Sequence, residues 1–342
     1  MKNGWTGAQY SLFRAALAAA AAIAAASAPA PLGLGVVSLV LSALLGVGYR
    51  DRWAALALAG LQAARFQGQA PDAGALLLTG LLVAHAFVPS APWGSWDARA
   101  RTDAGHGWAL PPALFAAVWV ALSLCYAGSA YAALDAERSL LQWAGLAFAL
   151  VFAPLACVAR ARPVLWVAGI AVQLAPASLF GLPELGVPIW LLHFLAFDPA
   201  WVPPRPLAAP ATVFYDGHCG LCHGVVRFLI SEDVDGSAFR FAPLDSDAFR
   251  SGLPADERAQ LPDSVVLRDP AGALLVRWAA VENVAQRLGG IWRAAATALR
   301  PVPDAWLDRA YDQVAAHRAL VFGREEEACP RLSAELLERF VD

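Results

Sequence analysis

The stretch "TVFYDGHCGLCHGVVRFLI", residues 212–230, contains the pattern that decides the fold of the second part of the chain. Its first residues alternate β-branched and aromatic side chains, which predicts a strand. Gly217 permits a tight turn after that strand. From Cys219 onward the apolar residues recur at helical spacing, so a helix is predicted over residues 219–230. Two cysteines spaced C-x-x-C are therefore predicted at the start of a helix that follows a strand.

This position has chemical consequences for the cysteines. A side chain at a helix N-terminus lies beside backbone N–H groups without intrahelical partners and at the positive end of the helix dipole, and both stabilise a thiolate. The pKa of a cysteine in a C-x-x-C motif can fall to about 7 or well below. We predict that Cys219, at the more exposed first position, attacks a substrate disulfide. Cys222, one turn later, would then resolve the mixed disulfide.

Neighbouring residues complete the predicted site. Asp216 ends the strand, and we include it with Cys219 and Cys222 as a catalytic residue that accepts or relays a proton, or orients the turn. His218 and His223 flank the two cysteines and, when protonated, would assist thiolate formation. The predicted supporting residues are His218, Gly217, His223 and Ser264, the last of which begins the later stretch "SVVLRD".

Three other interpretations of the cysteine motif remain open. With His223 it reads C-x-x-C-H, the attachment sequence of c-type haem. Met1 is the only methionine, which excludes an axial methionine ligand. Zinc prefers four ligands, commonly from two paired clusters, and the chain has no second C-x-x-C. The third alternative is a redox-silent structural pair. We predict no metal, and no cofactor other than the redox-active Cys219–Cys222 dithiol.

The rest of the second part supports an α/β core. "FRFAPL" (239–244) is predicted as a strand, and "SVVLRD" (264–269) with "ALLVRWAA" (273–280) as a hairpin. Helices are predicted at about 279–288, 291–299 and 304–319. A strand, a C-x-x-C helix, a strand, a hairpin and further helices follow the order of a thioredoxin-like domain.

The composition differs between the two parts of the chain. Hydrophobic residues make up 58% of the 342 residues and charged residues 15%, against about a quarter in ordinary soluble domains. Residues 1–210 contain 8 acidic and 11 basic residues, whereas residues 211–342 contain 20 and 14. This contrast predicts a membrane domain followed by a water-soluble one. The acidic second part argues against nucleic acid as a partner.

Apolar runs indicate how often the first part crosses the bilayer. A helical span needs about 20 residues, and runs near that length lie at about 11–28, 33–49, 74–91, 111–132, 140–159, 164–181 and 184–199. The shorter run 53–66 is marginal. Counting it gives about eight transmembrane helices. Polar residues inside the runs are candidates for function or for bonds between helices, namely His85, Gln142, Gln173, Glu184 and His193.

The distribution of basic residues predicts the orientation. With eight spans, one side carries Lys2, Arg50, Arg52, Arg99, Arg101, Arg160, Arg162 and Arg205, and the other carries Arg65 and Arg138. Because basic residues collect on the cytoplasmic side, we predict a multi-pass protein of the inner (cytoplasmic) membrane with a cytoplasmic C-terminal domain. The Pro-rich connector at 198–211 marks the boundary between domains 1–205 and 206–342.

Two parts of the sequence resemble known families. "YSLFRAALAAAAAIAA", "LLGVGYRDRWAAL" and "LLHFLAFDPAWVPPR" resemble the HTTM membrane domain, related to vitamin K-dependent carboxylase, over residues 8–205. The carboxylases use a lysine base, and Lys2 is the only lysine here, so the resemblance implies the helical scaffold without that chemistry. "YDGHCGLC", "FRFAPL", "DSVVLRD" and "VFGREEEAC" resemble the DCC family (DUF393) of thiol-disulfide oxidoreductases. That resemblance covers residues 212–342 and assigns its Asp-x-x-Cys-x-x-Cys motif to Asp216, Cys219 and Cys222.

The predicted fold is thus a polytopic α-helical membrane domain followed by an α/β thioredoxin-like domain. The predicted function is a membrane-anchored thiol-disulfide oxidoreductase of the protein-disulfide reductase type. Its partners would be the lipid bilayer and protein or small-molecule thiols and disulfides. A quinone or another membrane redox partner is a further hypothesis. The alternative function is a non-catalytic membrane scaffold or binding protein whose C-x-x-C is redox-silent or binds a metal.

Overall fold

The chain forms two compact units. The computed structural model describes residues 3–27, 31–66, 72–132, 140–175, 186–206, 208–261, 265–323 and 330–341. The first unit comprises Met1–Trp5, Gln9–Asp97 and Ala109–Asp198, and the second comprises Thr6–Ala8, Ala98–Trp108 and Pro199–Asp342. The main division, after Asp198, falls within the predicted Pro-rich connector. The short segment Ala98–Trp108 belongs to the second unit although it precedes the connector.

The described part of the first unit is helical. Its eight α-helices are α1 (Gly7–Ser27), α2 (Leu32–Val47), α3 (Asp51–Arg65), α4 (Ala73–His85), α5 (Pro112–Ala132), α6 (Leu140–Ala156), α7 (Arg162–Leu174) and α8 (Val187–Ala196). Each overlaps one predicted apolar run, and the marginal run 53–66 coincides with α3. The prediction of a helical N-terminal region is therefore confirmed.

The number of membrane crossings is a separate matter. Within the described ranges, two helical stretches are long and apolar enough to cross a membrane, Gly7–Ser27 and Pro112–Ser129. The other apolar helices found there have 10–17 residues, less than the roughly 20 of a typical span. The prediction of eight transmembrane helices is therefore not confirmed.

Four polar side chains from three helices meet inside the first unit. The Tyr10 hydroxyl and His85 Nδ1 are 2.7 Å apart. Asp51 Oδ2 lies 3.6 Å from His85 Nε2 and 3.7 Å from the Arg14 guanidinium. All four residues are buried. Spacing along the chain gave no indication of this cluster, because its members come from α1, α3 and α4.

The other polar residues of the apolar runs have different surroundings. His193 is fully buried, and its Nε2 lies 3.1 Å from the Tyr126 hydroxyl, which connects α8 to α5. Its Nδ1 lies 2.9 Å from the Ile189 carbonyl oxygen. This is the bonding between helices that the sequence suggested for such residues. Glu184 lies outside the described residues.

A four-stranded sheet forms the centre of the second unit. Its strands are β1 (Ala211–Tyr215), β2 (Phe239–Pro243), β3 (Val266–Arg268) and β4 (Leu274–Val276), in the order β2-β1-β3-β4. β1 runs parallel to β2, with Ala211 opposite Phe239. β3 runs antiparallel to both β1 and β4. The central strand β1 leads directly into the cysteine motif.

Helices complete the second unit. They are α9 (Gly220–Glu232), α10 (Asp247–Gly252), α11 (Ala255–Gln260), α12 (Arg277–Leu288), α13 (Gly290–Leu299), α14 (Asp304–Phe322) and α15 (Ala334–Leu337). The prediction that the hairpin continues through residues 277–280 is wrong. Arg277 has a φ of 52°, which ends β4, and the carboxylate of Asp308 accepts a hydrogen bond from the Trp278 backbone N–H at the start of α12.

The alternation of side chains in β1 explains where the core lies. Val213 and Tyr215 point to one face, into a cluster that includes Val226 and Ile230 of α9. Phe214 points to the other face and packs in a second cluster. Because successive strand residues face opposite sides, these two clusters cover β1 on both faces.

Candidate functional site

The cysteine motif lies in the turn between β1 and α9. The Cys219 backbone N–H donates to the Asp216 carbonyl at 3.2 Å, and the Cys219 carbonyl accepts from the His223 N–H at 3.0 Å. Cys219 is thus the N-cap residue of α9, although its side chain accepts no capping hydrogen bond. The predicted strand, turn and helix start are all present, and they place Cys219 one turn before Cys222.

Both thiols are buried, although Cys219 was predicted to occupy the more exposed of the two positions. Cys219 is 5% exposed and Cys222 is 4% exposed. The cause is the end of α14, since the Gly220 N–H donates to the Gly323 carbonyl at 3.3 Å. A Cβ atom added at Gly220 would collide with the carbonyl oxygen of Phe322. The glycine inside the C-x-x-C motif therefore permits a backbone contact that covers the dithiol.

The two sulfurs interact directly. Burial, and then the hydrogen bond and charge interaction with Cys219, raise the pKa of the Cys222 thiol to about 12. A hydrogen bond from the Asp216 backbone and the charge of Arg318 act in the opposite direction. Cys222 therefore keeps its proton at neutral pH. The arrangement places a protonated thiol next to a second sulfur.

Asp216 has two partners that hold its carboxylate. Its Oδ1 accepts a hydrogen bond from the His218 backbone N–H at 2.9 Å, and its Oδ2 lies 3.7 Å from the guanidinium of Arg318. The first contact links the Asp216 side chain to the backbone of the turn. The second was not predicted, because Arg318 lies on α14, about a hundred residues after the motif. No local pattern in the sequence marks Arg318; only the packing of α14 on the motif reveals it.

The two histidines occupy different environments. His223 is buried, and its Nε2 lies 2.7 Å from the carbonyl oxygen of Gly217, so Nε2 donates to the turn backbone. The edge of its ring faces Tyr215, with the ring centroids 6.2 Å apart. His218 is exposed. His223 thus connects the first turn of α9 to the turn before it, an interaction that the sequence did not predict.

Some predicted residues fall outside the described ranges. Ser264, predicted as a supporting residue, is one of them. Within the described residues, no group of three or more His, Cys, Asp or Glu side chains is placed to hold a metal ion. The site that the structure brings together consists of Asp216, Cys219, Cys222 and Arg318.

Comparison with known proteins identifies the region around this site. The DCC1-like thiol-disulfide oxidoreductase family matches residues 213–324. The uncharacterized protein YuxK of Bacillus subtilis is 32% identical over 134 residues, which are 38% of this chain and 92% of that protein. No solved structure matches the chain significantly. The resemblance of residues 8–205 to HTTM domains stays a prediction. Through its second unit, the chain belongs to the DCC1-like thiol-disulfide oxidoreductase family.

Proposed function

We propose that the protein is a membrane-anchored thiol-disulfide oxidoreductase in which Cys219 and Cys222 are the reacting dithiol. The observation that carries this proposal is the contact between the two sulfurs at the start of α9. They lie within the region that matches a family of thiol-disulfide oxidoreductases. The direction of exchange that we propose is reduction of a substrate disulfide.

The topology of the second unit supports a thioredoxin-like assignment. β1, α9 and β2 form a parallel β-α-β unit, and the antiparallel β3 and β4 extend the sheet beyond β1. A C-x-x-C motif at the start of the helix in such a unit is typical of thioredoxin-like redox proteins. In this topology the first cysteine ends the turn and the second lies in the first helical turn.

The proposed reaction assigns a different role to each cysteine. The Cys219 thiolate attacks one sulfur of the substrate disulfide, forming a mixed disulfide and releasing the first substrate thiolate. Cys222 then loses its proton and attacks Cys219 Sγ, which forms the Cys219–Cys222 disulfide and releases the second substrate thiolate. The raised pKa of Cys222 supports its role as the second nucleophile, since it stays protonated until that step. Asp216, whose backbone contacts Cys222, is the candidate proton acceptor.

The proposal includes the membrane. The long apolar helix α1 and the apolar stretch Pro112–Ser129 support anchoring, as do the short apolar helices between and after them. The excess of basic residues on one set of loops supports a cytoplasmic position for the dithiol. Partners would then be protein or small-molecule thiols and disulfides, with no cofactor beyond the dithiol itself.

The test uses the full-length protein in detergent. Its substrates are a chromogenic aromatic disulfide and insulin with its disulfides intact. Wild-type protein should turn over at least one of them with a thiol reductant present. Cys219→Ser should reduce the rate to background. Without the reductant, Cys222→Ser should form one stable mixed disulfide per chain and react no further. Cys125→Ser, in α5, is the matched control and should keep the wild-type rate. Wild-type protein that is inert with both substrates would contradict the proposal.

One observation favours the second candidate function, a membrane scaffold with a redox-silent cysteine pair. Neither cysteine is more than 5% exposed, and exchange requires contact with a substrate sulfur. A redox titration separates the two functions. The enzyme should show a reversible two-electron midpoint that disappears in Cys219→Ser, whereas a scaffold should show no transition at these residues.

A further inference from the structure

A cavity of about 300 Å³ lies beside Cys222 within the second unit. Its walls come from α9, from the face of the sheet that α9 covers, and from α12 and α14. Among the described residues that line it, only Cys222, Tyr311 and Arg318 carry polar or reactive side-chain atoms. Protein interiors rarely contain voids much larger than a water molecule. An apolar space of this volume beside Cys222 is therefore large enough to be considered as a ligand site.

The cavity has a route to solvent between α12 and α14. Val281 of α12 and Val314 of α14 line it, and they are 40% and 57% exposed. On the opposite wall Cys222 is only 4% exposed. A ligand that enters between the two valines reaches the dithiol from the side, whereas the end of α14 covers the motif at Gly220. The cavity thus reaches Cys222, and through the hydrogen bond between the two thiols it ends next to Cys219.

The lining determines which ligand can occupy the cavity. An apolar wall leaves the polar groups of a ligand without hydrogen-bond partners, and such burial is costly. The Tyr311 hydroxyl already accepts a hydrogen bond from the Val265 N–H at 3.1 Å. Arg318 forms an ion pair with Asp216. Known small-molecule sites begin at about 300 Å³. The fitting occupant is therefore one short alkyl or aryl group rather than a polar peptide segment.

We infer that this cavity binds the apolar substituent of a small-molecule disulfide and presents the attached sulfur to the Cys219–Cys222 pair. This inference rests on the proposed function and names its substrate class. Cys219 attacks the sulfur that carries the buried group, and the other half of the disulfide leaves as a thiolate. Cys222 then displaces the buried group as a second thiolate. The dithiol loses two electrons, and the substrate disulfide gains them and becomes two thiols.

The probe is a series of alkyl 2-pyridyl disulfides with chains from methyl to hexyl, used with the full-length protein in detergent. Release of thiopyridone reports the reaction, and in Cys222→Ser, which cannot resolve a mixed disulfide, it reports attack on the alkyl-bearing sulfur alone. Burial of one methylene contributes about 0.8 kcal/mol, so the second-order rate constant of the single oxidation of the dithiol should rise about fourfold with each added methylene until the cavity is filled. Cys219→Ser should remove the reaction at every chain length.

Two variants narrow the cavity at its partly exposed mouth, Val314→Trp and Val281→Trp. Each should remove most of the dependence on chain length while the methyl compound still reacts. Ala316→Trp is the matched control, because Ala316 lies two residues further along α14, is exposed and does not line the cavity. Ala316→Trp should show the same dependence of the rate on chain length as the wild-type protein. Comparison with this variant also corrects for partition of the probes into detergent.

The possible failures are distinguishable. If wild-type protein reacts with none of the probes, or Cys219→Ser reacts as fast as wild type, both the proposed function and this inference are overturned. If wild-type protein reacts equally fast at every chain length, the dithiol is active and the cavity is not its substrate site. If both tryptophan variants keep the full chain-length dependence, the apolar group binds elsewhere and the inference is wrong.

Discussion

Cys222 is the residue whose environment departs furthest from that of an ordinary cysteine. It lies on the buried face of α9, with the Cys219 sulfur on one side and the apolar cavity on the other. Because burial penalises the thiolate, the pKa of Cys222 rises to about 12. A resolving cysteine with this property holds its proton while Cys219 reacts. The proposed order of attack therefore depends on burial as much as on position in the helix.

The titration of Cys222 can be measured directly. The absorbance of thiolate, taken as the difference between Cys219→Ser and the double variant Cys219→Ser/Cys222→Ser, isolates this one group. Burial remains the largest influence after Cys219 is replaced, so the pKa of Cys222 should stay above its ordinary value of about 8.5. A transition at or below the ordinary value would contradict the buried position.

The charge of Arg318 determines in which direction its replacement should shift the pKa of Cys222. Its positive charge favours the Cys222 thiolate and lowers the pKa of Cys222. Arg318→Gln should therefore raise that pKa further and leave less thiolate at any alkaline pH. Arg309→Gln, an exposed position on the same helix, is the control and should not shift the titration. A downward shift in Arg318→Gln would show that the two groups do not interact as the structure indicates.

At the scale of elements, α14 covers the cysteine motif through a contact that only glycine permits. Gly220→Ala should push the end of α14 away, because the added Cβ meets a backbone oxygen that cannot rotate aside. Cys219 should then react faster with a maleimide than in the wild-type protein. The same variant should also unfold at a lower temperature.

Gly224→Ala is the matched control for that experiment. Gly224 lies one turn further along α9, and a Cβ atom there meets nothing within 4 Å. Alanine in place of glycine inside a helix stabilises by roughly 0.5–1 kcal/mol, so this variant should be slightly more stable, with unchanged maleimide reactivity. Equal reactivity of Cys219 in the two variants would mean that α14 does not limit access.

The elements around the site show what sequence alone could predict. β1 and α9 were predicted because alternation in residues 212–216 and helical spacing after Cys219 are local patterns. The burial of Cys219 was not predicted, because the atoms that cover the motif belong to Phe322 and Gly323, about a hundred residues later. Arg318 was missed for the same reason. Local pattern predicted the strand, the turn and the helix that hold the two cysteines, whereas access to the cysteines depends on long-range packing.

At the scale of the whole molecule, the segments that make up the second unit constrain the membrane topology that we propose for the chain. Thr6–Ala8, Ala98–Trp108 and Pro199–Asp342 belong to one compact unit. Within it, the Thr6 hydroxyl lies 2.7 Å from the Glu232 carboxylate, and Arg227 donates to the Arg101 carbonyl at 2.6 Å. A compact water-soluble unit lies on one side of a membrane. An even number of crossings must therefore separate each of these segments from the next.

The requirement for an even number of crossings favours some of the proposed arrangements of the first unit in the bilayer over others. Helices α1–α4 lie between the first two segments, and α5–α8 lie between the second and the third. Crossing by all eight gives an even number in each interval, and omission of α3 alone would make the first interval odd. Crossing by α1 and α5 alone gives one in each interval, which would divide the second unit between two compartments. The basic loops predict the same eight-span orientation.

Cysteine labelling in intact cells tests this argument. In a chain whose five native cysteines are replaced by serine, Gln69→Cys lies in the sequence between α3 and α4, and Ala100→Cys lies in the second unit. Eight crossings place residue 69 outside and residue 100 in the cytoplasm. A membrane-impermeant maleimide should then label Gln69→Cys in intact cells and label Ala100→Cys only after permeabilisation. If α1 and α5 alone crossed, both positions would lie on one side, so identical labelling of the two variants would rule out the eight-span arrangement.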